Sequence, residues 1–439
     1  MRRLIFFVAA SAVALALPSA NFASRAPAAP KVQLLAHANP AGGYSGDVYV
    51  HGGYAYLSSW HGSRCPALGV RVYDVRTPSR PKHVSTFAGA ASDPSLAGAW
   101  TEKTIVKHVA TPAFTGELAV TSIQYCFRGA FAGFGLYDVT DPAHPRRLAL
   151  VKLEPRGSHE IWMNAVGGRA YVYTAIPYSE LESSPDYNPV APPDTKQATI
   201  PGSADFRIFD VSNPQSPRQV GEWGAWKQLH VHPNAGIGGF KKNFCHSVIT
   251  NAAGTRAFLS YWDLGTIILD VRDPAHPKYL GRTHFRPGEQ GDAHSAALGA
   301  NGKLLIETHE TTGVPGGRPL LYDISNPRRP VRLSVLNPPR KLLDPDPSAG
   351  FFNSVHDPKI RGKRAYFSWY GLGVVVADIS NPRRPRYLTR FHPGGSPDPE
   401  QSFCPGGRCS SMWGVYPSGN VVFASDMVGG LWVFRLRPS

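Results

Sequence analysis

The sequence predicts an all-β fold, a seven-bladed β-propeller in which an N-terminal strand completes the last blade. Three observations predict it: a turn phrase that recurs along the chain, four strand-like segments in each repeat, and an N-terminal segment that resembles a fourth strand. The 439 residues include 44 Gly and 41 Pro, which indicates many tight turns. Length alone suggests two or three domains, but repeats can build one large domain.

The recurring phrase is an apolar run followed by an Asp and a Pro-x-x-Pro turn. It reads VRVYDVRTPSRP in its first copy and VVVADISNPRRP in its sixth. The acids of the six copies are Asp74, Asp138, Asp210, Asp270, Asp323 and Asp378. Because Asp side chains cap turns and Pro fixes φ, we predict that these residues are structural.

Each repeat contains four alternating or β-branched segments, which is typical of strands. The last repeat supplies only three, and its phrase, LWVFRLRP, has Arg435 in place of the Asp. The segment from Pro30 to Leu35 resembles the fourth strand from Pro81 to Thr86. We therefore expect the N-terminal strand to close the ring, since closure removes exposed strand edges. Six blades with a loose end is the alternative.

The N-terminus predicts export. It has a basic start (MRR), an apolar run from Leu4 to Leu17, and small residues after it. This order is typical of a signal peptide, which we assign to residues 1–24 with cleavage near Ala20 or Ala23. We expect residues 25–439 to form a single propeller domain of seven four-stranded blades, secreted to an extracytoplasmic location. We expect no transmembrane segment after signal removal; an N-terminal anchor is the alternative.

The five Cys fit an exported protein, in which disulfides can form. Cys404 and Cys409 bracket a short turn and are one predicted pair. Cys65 and Cys126 fall in equivalent loops of the first two repeats and are the second. Cys245 is left unpaired.

In such a propeller the innermost strands line a central channel. We call "upper" the face at which these strands begin and "lower" the opposite face. Long, varied loops are predicted on the upper face, where binding usually sits. The formal net charge of +15 is partly concentrated in the lower turns. A solvated rim is the favoured interpretation, and docking to an anionic envelope polymer is the alternative. The basic residues of those turns are Arg80, Lys82, Arg146, Arg147, Arg218, Lys278, Arg328, Arg329, Arg332, Arg383, Arg384 and Arg386.

Four His residues occupy the same position in successive repeats, at the start of the innermost strand: His159, His246, His294 and His356. Propeller geometry brings such positions together at the upper mouth of the channel. Imidazole nitrogens bind transition metals, so we predict a copper or zinc site that uses two or three of these residues. The alternative is that each His bonds only to the neighbouring blade.

Further candidates for this site are His309, Glu310 and Cys245, with a buried structural thiol as the alternative for Cys245. Glu160 and Asp357 directly follow two of the four His residues. Strand alternation is expected to turn both acids away from the channel.

The repeat phrase resembles that of the LVIVD-repeat family. The resemblance covers nearly all of the mature chain and implies the propeller fold, but it implies no defined activity. A propeller with a His-rich channel mouth is also distantly similar to the selenium-binding and methanethiol oxidase propellers, which implies copper chemistry. Neither resemblance assigns a catalytic residue.

Three classes of function remain. The first is an extracellular binding or interaction module whose partner is an unknown protein or an envelope polymer. The alternative is a copper-type oxidoreductase that uses the His cluster, and the third is a structural envelope protein. We expect a monomer and no nucleic-acid partner. The GxSxG, HExxH and phosphate-binding loop signatures are absent from the sequence.

Overall fold

Strands dominate the structure, a computed structural model that describes residues 29–40, 42–191, 197–311, 316–343 and 353–438. The predicted signal peptide lies outside the described residues. The first three blades and the strand before them comprise β1 (Lys31–Ala38), β2 (Tyr44–His51), β3 (Tyr54–Trp60), β4 (Val70–Asp74), β5 (Lys82–Phe87), β6 (Ala99–Trp100), β7 (Thr104–Thr111), β8 (Phe114–Tyr125), β9 (Gly133–Asp138), β10 (Arg146–Lys152), β11 (Ile161–Val166), β12 (Arg169–Ala175), β13 (Phe206–Asp210) and β14 (Arg218–Trp223).

The remaining blades continue the same order. Their strands are β15 (Ser247–Thr250), β16 (Arg256–Tyr261), β17 (Gly265–Asp270), β18 (Lys278–Arg282), β19 (Ala293–Leu298), β20 (Leu304–His309), β21 (Leu320–Asp323), β22 (Val331–Val335), β23 (Val355–Arg361), β24 (Arg364–Trp369), β25 (Gly373–Asp378), β26 (Arg386–Phe391), β27 (Ser396–Pro397), β28 (Arg408–Cys409), β29 (Met412–Ser418), β30 (Val421–Asp426) and β31 (Gly430–Arg437). Two short helices, α1 (Ser179–Glu182) and α2 (Ala225–Leu229), lie in upper loops.

Seven antiparallel sheets form the blades of a propeller, as predicted. The innermost strands are β2, β7, β11, β15, β19, β23 and β29, and each contacts the next around a closed circle. Blade 2 has a fifth short strand, β6, and β27 pairs with β28 in a separate small hairpin. Neither addition was predicted.

The N-terminal strand closes the ring. β1 pairs antiparallel with β31, from Lys31 opposite Arg437 to Ala38 opposite Leu431. The His37 ring stacks on Trp432 with centroids 3.5 Å apart. The prediction of closure is confirmed, and the alternative of six blades with a loose end is wrong.

The core lies between the blades, because each sheet packs its apolar face on its neighbour. Between blades 3 and 4, for example, Tyr173 and Phe206 share one cluster with Leu259 and Ile267. The six turn acids each accept a backbone hydrogen bond from the residue two positions later. The donors are the N–H groups of Arg76, Thr140, Ser212, Arg272, Ser325 and Ser380.

Both predicted disulfides are present, Cys65–Cys126 and Cys404–Cys409, and Cys245 is a buried free thiol. None of the helices in the described ranges combines the length and the apolar composition needed to cross a membrane.

Candidate metal centre

Seven equivalent positions form a ring at the upper end of the channel, which we call the upper ring: Gly46, Glu102, His159, His246, His294, His356 and Trp413. Backbone pairing establishes the equivalence. The residue directly before each of Glu102, His294 and Trp413 forms an antiparallel backbone pair with a residue at the end of the second strand of the preceding blade. The N–H groups of His159 and His246 bond to the second strand of their own blades. The sequence prediction that the four His positions converge is therefore matched by the geometry.

Contacts between neighbours run around most of this ring. The Nε2 atoms of His159 and His246 are 2.9 Å apart. Ring centroids are 4.0 Å apart for His246 and His294, and 4.2 Å apart for His294 and His356. His356 packs on Trp413, whose Nε1 donates a 2.5 Å hydrogen bond to Glu102 Oε1. At the seventh position, a side chain on Gly46 would come within 2.8 Å of the Glu102 carbonyl oxygen, so glycine is required for this close approach.

The His residues are more buried than an open channel mouth would allow. His246, His294 and His356 are only 7%, 1% and 3% exposed, and His159 is the one partly exposed member. Burial, with the nearby Lys103 charge, lowers the pKa of His159 to about 3. Burial likewise lowers the pKa of His356 to about 3 and holds those of His246 and His294 well below their ordinary value. All four imidazoles are therefore neutral near pH 7.

Each Nδ1 atom has a partner outside the ring centre, which for His294 is the Ser295 Oγ at 2.8 Å. His246 Nδ1 donates to the carbonyl oxygen of His294 at 3.1 Å, and His356 Nδ1 donates to that of Trp413 at 2.6 Å. His159 Nδ1 donates to Gln124 Oε1 at 2.7 Å. A neutral imidazole that donates through Nδ1 carries a lone pair on Nε2, which is the arrangement of a metal-ligating His.

Glu310 is the candidate carboxylate of the site. Its Oε2 is 3.6 Å from His294 Nε2, and its Oε1 accepts a hydrogen bond from the Tyr370 hydroxyl. Ligand atoms of His246, His294 and Glu310 all lie within 4.8 Å of one another. Burial raises the pKa of Glu310 to about 7. Imidazole nitrogens with one carboxylate oxygen are donors that zinc and copper accept at about 2.0–2.2 Å, so the residues present fit such an ion.

The other two candidates do not join this group. His309 Nε2 bonds to Glu307 Oε1 at 2.9 Å, and its ring packs against Phe285. The Cys245 thiol donates to the carbonyl oxygen of Ser247 at 3.7 Å, and burial raises its pKa well above the ordinary value. The geometry of Cys245 fits the structural thiol that was the alternative.

Glu102 and Trp413 were missed by the sequence analysis. Glu102 is 1% exposed, and burial together with the nearby Glu160 raises its pKa well above the ordinary value. No described residue is within hydrogen-bonding reach of its Oε2. The only signal was an adjacent Glu–Lys pair before an apolar run, because the second repeat has no His to mark the position.

A second layer lies directly below and is called the lower ring: Asp47, Lys103, Glu160, Ser247, Ser295, Asp357 and Gly414. The expectation that Glu160 and Asp357 turn away from the channel is wrong. Lys103 Nζ lies 2.5 Å from Glu160 and 3.7 Å from Asp357. Register shifts beside His356 and Trp413 bring successive residues of β23 and β29 towards the channel, which strict alternation does not allow for.

An upper pocket of about 400 Å³ is lined by residues that contact His159, although His159 itself does not line it. Its lining includes His61, Trp100, Gln124 and Arg156. Gln124 is the hydrogen-bond partner of His159, and the Trp100 ring centroid is 6.2 Å from the His159 ring centroid. The pocket therefore meets the upper ring through Gln124 and Trp100 and not through a residue of the ring itself.

Comparison with known proteins gives one family match. The family model of the LVIVD repeat matches residues 42–63, which span β2 and β3. No curated protein matches the chain, so the resemblance to selenium-binding propellers stays a prediction. The protein is a seven-bladed β-propeller that carries an LVIVD repeat in its first blade.

Proposed function

We propose that this protein is an exported binding module that holds one copper or zinc ion in the upper ring. The observation that carries the proposal is the 2.9 Å separation of the His159 and His246 Nε2 atoms. Both residues donate through Nδ1, so in the neutral state two Nε2 lone pairs face each other.

Two facing lone pairs repel unless a cation lies between or beside them. Because Gln124 Oε1 holds the proton of His159 on Nδ1, an additional proton between the two Nε2 atoms would make one ring an imidazolium, which burial disfavours because it lowers the pKa of both residues. A metal ion satisfies both nitrogens without a proton. His246 belongs to this pair and also to the group with His294 and Glu310, so we assign it the central ligand position.

Export is supported by the two disulfides and by the signal-like N-terminal sequence. Cys65–Cys126 joins upper loops of blades 1 and 2, and disulfides persist in oxidising compartments. The imidazoles are neutral and already oriented by hydrogen bonds, so outside the cytoplasm they can bind a metal ion without first losing a proton.

The test is elemental analysis of untagged protein after exposure to copper or zinc and removal of the excess metal. We expect about one ion per chain for the parent, and at least a tenfold lower content for His246→Ala, because that change removes the shared ligand. His276→Ala, in an exposed lower turn, is the matched control and should retain the parent content. Metal-free parent protein would contradict the proposal.

A copper-type oxidoreductase is the second candidate, favoured by the upper pocket, whose lining residues Gln124 and Trp100 contact His159. In this case the pocket admits a small organic reductant. The measurement is oxygen consumption with thiols or catechols by copper-loaded protein, compared with free copper and with His246→Ala. A rate for the parent above both comparisons supports an enzyme. Equal rates leave the metal-binding module as the function.

A further inference from the structure

The channel has a second chamber that no part of the proposed function uses. This lower cavity has a volume of about 640 Å³. It extends from the lower ring to the lower turns at residues 251–253 and at residues 299, 301 and 302. The charged residues of the lower ring separate it from the His residues, so it is a different site.

The cavity exists because the lower ring is uneven. Blades 4, 5 and 7 contribute Ser247, Ser295 and Gly414, whereas the other four blades contribute larger, charged side chains. The space lies against the small residues of blades 4 and 5, and the acids Asp47, Glu160 and Asp357 border it.

The floor of the cavity holds three acidic and two basic side chains. Burial raises the pKa of Glu160 to about 7 and also raises that of Asp47, so near pH 7 a proton as well as the two ammonium groups offsets the acids. Three buried carboxyl groups, those of Asp47, Glu160 and Asp357, surround one buried ammonium, that of Lys103. Lys359 donates to Asp357 and supplies the second positive charge. Three acids therefore share two ammonium groups, and an ammonium group from a ligand would take the place of the proton that the third acid holds.

The walls above this floor are mostly apolar. The cavity is lined by Tyr49, Trp162 and Ile249, each of which lies two residues after a member of the lower ring on the same inner strand. Lys107 lies at the rim, four residues after Lys103 on the same strand, which corresponds to about 13 Å. Its Nζ is 5.1 Å from the centre of a Trp162 ring. It therefore does not neutralise the floor, and its position shows that this aromatic face accepts a cation.

We propose that the lower cavity binds an organic ammonium compound with an apolar body. The ammonium group donates hydrogen bonds to the carboxylates of the lower ring, and the body packs on Tyr49, Trp162 and Ile249. An apolar pocket with a few convergent charged groups is the usual form of a small-molecule site. An anion of the same shape is repelled by the floor.

Three probes with the same six-carbon body test this assignment: hexylammonium, hexan-1-ol and hexanoate. Their affinities are measured by calorimetry with chelator-treated protein. We expect hexylammonium to bind about tenfold more tightly than hexan-1-ol, and hexanoate to bind most weakly. Equal affinity of all three probes, tighter binding of hexanoate, or no binding of hexylammonium overturns the proposal.

Two variants locate the binding. Asp47→Asn removes one carboxylate while its side-chain oxygen can still accept the Val48 N–H hydrogen bond, so the fold should persist. It should weaken hexylammonium binding about tenfold. Ala297→Phe should block the cavity and abolish hexylammonium binding, and its melting curve shows whether this variant folds. If Ala297→Phe does not fold, the result for Asp47→Asn tests the proposal. Asp273→Asn, in an exposed turn, is the matched control and should bind like the parent.

The metal centre is kept distinct by repeating the titration with metal-loaded protein. Unchanged affinity places the amine below the charged layer. Binding that needs the metal, or that survives in Asp47→Asn at full strength, overturns the lower-cavity assignment.

Discussion

At the residue scale, the proposed metal centre depends on which nitrogen of each imidazole already forms a hydrogen bond. Trp413 accepts through its carbonyl from His356 and donates through its indole to Glu102, so one residue orients both neighbours. The carbonyl of His294 has the same effect on His246. These backbone acceptors fix the tautomers, because a carbonyl oxygen can only accept.

Acid should destabilise the metal-free protein through these buried imidazoles. The pKa of His356 is about 6.5 in an unfolded chain, and burial lowers it to about 3 in the folded protein. The unfolded state therefore binds more protons below pH about 6.5, and the stability that the neutral residue contributes is lost as pH falls. One such His is worth about 2 kcal/mol between pH about 7 and 5.

Between pH about 7 and 5, we therefore expect the free energy of unfolding of His356→Gln to fall by about 2 kcal/mol less than that of the parent. Urea unfolding of chelator-treated protein at the two pH values measures the difference. The exposed turn variant His276→Gln should follow the parent. An acid loss in His356→Gln as large as that of the parent would show that His356 is not held neutral.

At the element scale, β1 is the strand that turns an open arc of blades into a ring. It is the outer strand of blade 7, yet it comes from the opposite end of the chain. Its pairing with β31 satisfies backbone groups that would otherwise form an exposed edge.

Deleting residues 31–37 should therefore lower the free energy of unfolding by several kcal/mol, at about 1 kcal/mol for each ladder hydrogen bond lost. Thermal melting and light scattering should show a lower transition temperature and aggregation through the new edge. Removal of residues 1–24 alone is the control and should change neither. A deletion variant that melts like the parent would contradict closure by β1.

At the scale of the whole molecule, the basic residues of the lower turns divide into those paired with acids and those without an ion pair among the described residues. Several basic residues of the lower turns are neutralised, as in Arg146 with Asp138 and Arg386 with Asp378. Arg328, Arg329, Arg383 and Arg384 are exposed and form no ion pair with a described carboxylate. We propose that this uncompensated group docks the protein on an anionic envelope polymer.

Changing these four Arg residues to Ser should reduce retention on cell-wall polymer at low salt. High salt should release the parent as well, since the Debye length is only about 8 Å at physiological ionic strength. A control with the same charge change on the upper face replaces Arg64, Arg128, Arg340 and Arg408 with Ser. Equal retention of all three proteins would leave the lower face as a solubility feature.

The sequence by itself determined the blade count, the closing strand, the disulfide pairs and the register of the four His residues. Each of these features depends on a local sequence pattern that repeats along the chain, such as the Asp-to-Pro turn phrase or strand alternation. The position of each His within its repeat was therefore readable without coordinates.

Only the tertiary structure decided which polar groups share the channel. Glu102 and Trp413 enter the upper ring from repeats that lack the His, and Glu160 faces the channel against the expected alternation. The 2.9 Å approach of His159 to His246 and the uneven lower ring both depend on how neighbouring blades pack. The physical reason is that bulges and inter-blade packing set side-chain direction, and neither leaves a periodic signal in a single repeat.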